Sequence, residues 1–333
     1  MKRDTLLVIG ARGQLGAELT TALRKMYGAT RVVASDLDPT KNGPQSEGPY
    51  VYLNVLDKDA LSAVISRFDI TQIYLFATKK PGPSGEFTND AWHLNMQGLL
   101  NVLSLAAEKR IAKVFWPGST DVFGPGAPRT NCPQFAPTNP STSYGISKIA
   151  GELWSAFYWE KHGLDVRSLR YPGLISWKNQ PGGSGIADYV TDMFHSALQT
   201  QRYTCFLDED TCLPMMYTPD AVRATLELME APASRITVHS GYNIGAMSFS
   251  PKELAWAIQR YIPELKISYQ TDFRQAIAQA GPMSIDDSVA AEDWKWEFAY
   301  SIPETVRHML THLSIQLNVT PGKIKQLHSQ TYF

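Results

Sequence analysis

The sequence predicts a doubly wound α/β fold, a parallel sheet with helices on both faces, followed by a smaller mixed α/β lobe. Three observations carry this. Apolar runs of four to six residues recur through the first half of the 333-residue chain and alternate with amphipathic segments of helical spacing. The runs lack polar alternation, as strands buried on both faces do. The first run leads directly into a glycine-rich turn that opens a helix, and alternation of this kind implies crossover units.

The first strand is expected at residues 6–9 and the first helix at 14–27. Strands follow at 31–35, 50–54, 72–76 and 113–117, with a long helix over 87–109 before the last of them. A loop rich in Pro, Gly, Thr and Asn spans 124–140. It leads into a second long helix over 143–163, with Ser141 or Ser143 as N-cap. A sixth strand over 165–170 completes the sheet, which assigns residues 1–173 to the first domain. Beyond Gly173 the texture changes to glycine-rich loops, strand-like stretches at 203–207 and 266–269, and helix starts at Pro251 and Pro303. Residues 174–320 are expected to form mainly the second lobe, with some segments returning to the large sheet, and 321–333 a tail.

Lys and Arg (31) balance Asp and Glu (32), leaving a formal charge of −1 and no global field for a nucleic acid backbone or an anionic membrane. Hydrophobic content of 44% excludes a disordered chain. Cys132, Cys205 and Cys212 are odd in number and lack CxxC spacing, against a disulfide framework or zinc ribbon and in favour of a reducing cytoplasm. The four apolar residues of 6–9 are too few for a signal-peptide core, and no run reaches a membrane span.

The turn reads Gly10-Ala11-Arg12-Gly13-Gln14-Leu15-Gly16. Glycines there let the backbone approach a diphosphate, and the helix N-terminus adds amides and a positive dipole end, so a dinucleotide site is expected. Asp36 ends the second strand, just before Leu37. A carboxylate at that point accepts from both ribose hydroxyls and repels a 2′-phosphate, favouring NAD over NADP, while Arg12 keeps NADP open.

Tyr144 and Lys148 are four residues apart, hence on one helix face. A free tyrosine, with a pKa of ~10, is a poor base at neutral pH. A neighbouring ammonium and a positive nicotinamide ring both favour the phenolate. Ser119, at the end of the fifth strand, can hold a substrate oxygen toward Tyr144. Together these point to hydride transfer from an alcohol, with no metal.

With these motifs in place the chain resembles the extended short-chain dehydrogenases/reductases, the NAD-dependent epimerase/dehydratase family, over nearly its whole length, which implies a Rossmann-type sheet. The resemblance implies that Asn95 completes a catalytic tetrad with Ser119, Tyr144 and Lys148 and supports a relay through Lys148. It places Asn54 and Val55 at the adenine, with Asn54 where Asp is common, and Phe76, Ala77 and Thr78 beside the cofactor. Asn95, Tyr144, Lys148, Tyr171 and Gly173 are implied cofactor contacts as well. Arg170-Tyr171-Pro172-Gly173-Leu174-Ile175-Ser176, Leu213-Pro214-Met215-Met216-Tyr217, Tyr242-Asn243-Ile244 and Asp286-Asp287-Ser288 narrow the likeness to the short-chain type of L-threonine 3-dehydrogenases. That implies oxidation of the β-hydroxyl of threonine or a related β-hydroxy acid.

Substrate contacts are expected from Ser119, Thr120 and Tyr144, and from three places that depart from that type. Thr78-Lys79-Lys80-Pro81-Gly82 brings two cations. The loop Pro181-Gly182-Gly183-Ser184-Gly185-Ile186-Ala187 is longer by one residue, with Gly183, Ser184, Ile186 and Ala187 as contacts. Gly281 stands in place of tryptophan. A larger, more positive pocket follows, suited to a bulkier or more anionic substrate meeting Lys79 or Lys80; the alternative is that both lysines are solvated.

Two other functions share the motifs: a nucleotide-sugar epimerase, dehydratase or reductase, and a non-catalytic NAD-sensing regulator. The superfamily's four-helix-bundle homodimer would use 87–109 and 143–163, and the run Trp154, Phe157, Tyr158, Trp159 exceeds what one buried face needs. His308 and His312 have metal-pair spacing without a third ligand in pattern and are expected to flank a helix face. Cys205 and Cys212 are expected to bracket a hairpin, and His195 to be packed or on the surface of a helix over 190–198.

Overall fold

The computed structural model describes residues 4–38, 47–79 and 88–319. Its first half runs β1 (Leu6–Ile9), α1 (Gln14–Tyr27), β2 (Val32–Asp36), β3 (Tyr50–Tyr52), α2 (Lys58–Arg67), β4 (Gln72–Leu75), α3 (Asn89–Glu108), β5 (Lys113–Ser119), α4 (Ser143–His162) and β6 (Asp165–Tyr171). The second half adds β7 (Gly173–Ile175), α5 (Asp188–Gln199), β8 (Arg202–Cys205), β9 (Leu213–Tyr217), α6 (Thr218–Glu230), β10 (Tyr242–Asn243) and β11 (Met247–Phe249). It closes with α7 (Pro251–Gln259), β12 (Lys266–Tyr269), α8 (Arg274–Ala280), α9 (Ser288–Trp294) and α10 (Ile302–Gln316).

Seven strands form one parallel sheet in the order β3-β2-β1-β4-β5-β6-β10. This is the expected α/β, Rossmann-type arrangement. The order reverses between β1 and β4, and such a switch point leaves a crevice at the carboxyl ends of the strands. Period-two alternation sorts the strand residues onto two faces. Leu6, Val8, Val32, Ala34 and Phe115 pack with α1 and α6, while Leu7, Ile9, Val33, Ile73, Val114 and Trp116 pack toward α2 and α3. A third apolar cluster, among α5, α7 and α10, forms the core of the second half.

Three expectations are corrected. β6 does not complete the sheet: one of the later segments expected to return to it does so at β10, where Tyr242 and Asn243 pair with Leu169 and Arg170. Two residues are too short a run to read as a strand. The N-cap of α4 is neither Ser141 nor Ser143 but Thr142, whose hydroxyl accepts the Gly145 N–H at 3.0 Å. Cys205 and Cys212 bracket no hairpin, because β8 pairs in parallel with β12, and β9 lies in a separate sheet between β7 and β11. Both helix starts at proline are present, each behind a serine capping box, Ser250 with Glu253 and Ser301 with Glu304.

Candidate active site

Gly10 follows β1 with φ at +83°, and a Cβ there would lie 2.5 Å from the Ala77 nitrogen. A Cβ on Gly16 would lie 2.2 Å from the Gly10 oxygen. The turn therefore packs directly on the end of β4 and sets Phe76 and Ala77 beside the start of α1. Gly13 is the N-cap and offers no side chain to the helix amides, which leaves to a bound anion the role that a capping oxygen plays elsewhere. Gln14 and Leu15 form the first turn behind it.

At the end of β2 the Asp36 carboxylate accepts the N–H groups of Arg12 at 2.9 Å and Leu37 at 2.8 Å. The Arg12 guanidinium pairs with Asp38 at 3.0 Å. Asn54 folds back to accept the Leu56 N–H at 3.0 Å, and buried Val55 packs under α3 at Gly98. Phe76 stacks on Phe115 with ring centres 5.5 Å apart. Asn95 is buried on α3 and its oxygen accepts from Thr78 Oγ1 (3.1 Å) and the Lys79 N–H (2.8 Å), while its amide donates to the Lys79 carbonyl (3.1 Å). These bonds clamp the segment after β4.

Tyr144 and Lys148 lie in the first turns of α4, which approaches β5 closely because two glycines face it. A Cβ on Gly145 would lie 2.2 Å from the Asp121 oxygen, and one on Gly151 would lie 2.3 Å from the Trp116 ring. The buried Lys148 ammonium donates to the Pro117 carbonyl at 2.7 Å and lies 4.6 Å from the Trp116 ring centre and 5.3 Å from that of Tyr144. Burial pushes the Tyr144 phenol well above its ordinary value, and the Asp121 carboxylate pushes it further. Ser119, two residues beyond Pro117, accepts the Asp121 N–H on its hydroxyl oxygen at 3.1 Å. Thr120 is buried and donates to the Tyr171 carbonyl at 3.4 Å.

The remaining expected residues are spread more widely. Tyr171 is a core residue, its hydroxyl bonded to Thr225 on α6, so its side chain is committed to packing. Gly173 opens β7, close to Ala187 and Met215. Residues 181–187 form a loop ahead of α5 in which Asp192 accepts the Gly182 N–H and Asp188 the Gly185 N–H, each at 2.7 Å. Arg274 donates to the Gly183 carbonyl at 3.4 Å; Ser184, Ile186 and Ala187 are half-buried. A Cβ on Gly281 would meet no atom within 4 Å. Lys79 is exposed, and Lys80, Pro81, Gly82 and Phe87 lie outside the described residues.

His308 accepts or donates at Nδ1 with the Tyr217 hydroxyl (2.8 Å), and His312 stacks on Trp177. No cluster of three metal-ligating side chains occurs among the described residues. His195 is buried within α5. Sequence reasoning assigned nothing to Asp121, Glu152 or Arg170, although Glu152 follows Lys148 at the same four-residue spacing that singled out Tyr144 and Lys148.

A profile of the NAD dependent epimerase/dehydratase family matches residues 6–245. The chain is 41% identical over 309 residues to the mitochondrial L-threonine 3-dehydrogenase of Bos taurus, covering 92% of this chain and 82% of that protein. It is similar to the solved GalE-like L-threonine dehydrogenase of Cupriavidus necator in its holo form, with a TM-score of 0.89 and 49% identity over 93% of this chain and 99% of that one. A monomeric L-threonine 3-dehydrogenase from a metagenome superposes with a TM-score of 0.88 and 39% identity, over 94% of this chain and 100% of that one.

Proposed function

The chain belongs to the NAD dependent epimerase/dehydratase family, and on that footing we propose that it oxidises the β-hydroxyl of L-threonine, or of a close β-hydroxy amino acid, with NAD. The observation that carries this is the Tyr144–Lys148 pair seated against the end of β5, with the ammonium 5.3 Å from the phenol ring and Ser119 two residues past the carbonyl that holds the ammonium.

The crevice fits a dinucleotide. Gly10, Arg12, Gly13, Gln14, Leu15 and Gly16 would cradle its diphosphate, and Asp36 the adenosine ribose. Leu37, Asn54 and Val55 would border the adenine. Phe76, Ala77, Thr78 and the main chain of Tyr171 and Gly173 would wall the nicotinamide side, with Lys148 on its ribose. Arg12 supports NAD rather than NADP, because Asp38 holds its guanidinium. NAD, when bound, accepts hydride from the carbon that carries the hydroxyl.

Tyr144 removes the hydroxyl proton. Burial and Asp121 oppose the phenolate, so ionisation depends on the Lys148 cation and on the positive ring beside it. Ser119 accepts from the Asp121 amide, which leaves its own proton to donate to the substrate oxygen. Holding both reactants in one geometry supplies much of the acceleration. Asn95 contributes by fixing the segment that carries Thr78 and Lys79.

A wider or more anionic β-hydroxy acid is the second reading, favoured by the open space at Gly281 and the exposed cation of Lys79. On either reading the enzyme works as a cytoplasmic homodimer. The three free thiols and the exposed Trp92, Ile146, Leu153, Trp154 and Phe157 on α3 and α4 support that placement and assembly. Among the described residues no helix is long and apolar enough to cross a membrane.

Reduction of NAD by threonine, followed by absorbance, tests the reading. Y144F is expected to lose about two to four orders of magnitude in kcat with its circular dichroism unchanged. Equal turnover by Y144F, or none by the parent protein with any β-hydroxy amino acid, overturns it.

A further inference from the structure

Arg274 opens α8 with its side chain 17% exposed and held from two sides. Nε and Nη2 donate to the Asp272 carboxylate at 3.0 and 2.6 Å, and the guanidinium carbon lies 3.1 Å from the centre of the Phe206 ring. The third nitrogen, Nη1, crosses to the loop ahead of α5 and donates to the Gly183 carbonyl at 3.4 Å. The rest of that loop hangs on α5. Asp192 and Asp188 accept the Gly182 and Gly185 N–H groups, and a Cβ on Gly183 would lie 2.1 Å from the Asp188 carboxylate. Among the described residues, Arg274 supplies the hydrogen bond that reaches the loop from outside α5. α8 has other anchors of its own: Gln275 accepts the Asp208 N–H and donates to the Thr211 hydroxyl, both at 2.9 Å, and the Asp272 N–H donates to the Phe206 carbonyl at 3.2 Å.

The loop stands next to the strand ends that carry the reacting groups. Ser119 pairs with Tyr171 in the sheet, and two residues further on a Cβ at Gly173 would lie 2.9 Å from the Ala187 side chain. α8 in turn ends at Gly281, so one guanidinium joins two of the places expected to meet the substrate. An arginine fixed by a fork and a ring has already lost its rotamer freedom, and a further bond costs it little ordering. The glycine backbone opposite has the reverse property. Gly182 sits at φ +87°, and ordering such a segment is entropically costly unless something outside it holds it. We propose that Arg274 is a positioning residue for substrate: it tethers Gly183, keeps residues 181–187 ordered beside the site, and takes no part in proton or hydride transfer. This rests on the reading of that loop as a wall of the substrate pocket.

At 3.4 Å the bond is long. Its donor is fixed and its acceptor lies on glycine backbone, which can close the distance when substrate fills the space. The same cation acts on the loop a second way. Burial, and then Asp188, push the Asp192 carboxyl above its ordinary value, while the Gly182 N–H and Arg274 pull it back. Without Arg274 that carboxyl moves toward its neutral form, a poorer acceptor for the Gly182 N–H.

The test is R274A, measured at saturating NAD by initial rates and by amide hydrogen exchange of the segment 182–187, with NADH affinity and thermal unfolding on the same samples. Exchange in the segment is expected to rise, and KM for threonine to rise about tenfold, the weak end for a hydrogen bond to a charged group. Because the lost contact serves ground state and transition state alike, kcat is expected to stay within about threefold, and the NADH Kd to stay unchanged. R274K keeps the charge beside Asp192 without the fork; it is expected to shift KM in the same direction by less, and it carries the comparison if R274A does not fold. Loop exchange equal to the parent's overturns the proposal. So does raised exchange with an unchanged KM, or a fall in kcat and NADH affinity without a rise in KM, which marks a merely structural residue. If the parent turns over no β-hydroxy amino acid, the threonine reading fails on its own, and loop exchange in R274A still decides the tether.

Discussion

The Lys148 ammonium lies 4.6 Å from the centre of the Trp116 ring because Gly151, one turn away, has no side chain to hold the helix off that indole. A Cβ at 151 would come within 2.3 Å of the ring, so the side chain of α4 that matters most for Lys148 is an absent one. G151V is expected to destabilise the protein by about 1–3 kcal/mol and to lower turnover. G126A, where a Cβ meets nothing within 4 Å, is the control and is expected to leave both unchanged. Thermal unfolding and initial rates on the same samples check this, and a G151V protein with the parent's melting temperature contradicts the packing argument.

Asp121 gives the expected pH dependence its sign. Its carboxylate disfavours the Tyr144 phenolate, so D121N lowers the phenol's pKa and extends activity toward lower pH. The expected displacement of the acid limb of kcat/KM is up to about one unit, since one unit corresponds to ~1.4 kcal/mol. The amide keeps the backbone N–H that Ser119 accepts, so kcat on the plateau is expected to change less than the limb. A limb displaced to higher pH counts against the assignment.

Cofactor choice is expected to follow the Asp36–Arg12–Asp38 arrangement. D36A removes the acceptor proposed for the ribose and is expected to lower kcat/KM for NAD by about one to two orders of magnitude, the loss of hydrogen bonds to a charged group. D36A/D38A also releases the Arg12 guanidinium from its 3.0 Å partner and is expected to raise NADP use relative to D36A alone. Parallel assays with both dinucleotides check the order, and an unchanged NADP-to-NAD ratio in the double variant refutes it.

On α3 and α4 the apolar patch includes Leu153 at 65% and Trp154 at 38% exposure, beside a groove of about 220 Å³ lined by Trp92, Met96, Leu100, Ala150 and Trp154. Apolar area of that kind on a helix pair marks an interface. L153R is expected to convert a dimer into monomers in sedimentation velocity at micromolar concentration. A parent protein that already sediments as a monomer, like the monomeric relative from a metagenome, removes the homodimer.

Local spacing made the glycine turn, Asp36 at its strand end and the Tyr144–Lys148 face legible in the sequence, because each depends on residues a few positions apart. What depends on distant partners was not. Three consecutive residues, Ser141, Thr142 and Ser143, can all cap a helix, and it is Thr142 whose hydroxyl reaches the Gly145 N–H. The strand at Cys205 finds its partner some sixty residues later, at Tyr269, where a hairpin to Cys212 was the simpler local reading. Glu152 stood in view one turn past Lys148, yet its ion-pair partner, Arg170, lies on β6. Asn95 shows a milder form of the same limit. The position was legible, but the clamp on Lys79 depends on how the segment after β4 turns back over α3.

The short strand at Tyr242–Asn243 has a consequence for biosynthesis. A nascent chain that has emerged only through β6 presents a bare sheet edge at Leu169 and Arg170, and Arg170 still waits for the Asn243 amide. Roughly seventy further residues must leave the ribosome before that edge is sealed, because Asn243 follows Tyr171 by that span. The nucleotide half is therefore finished by the other half, and a gene cut between them would yield a sticky fragment rather than a free-standing module.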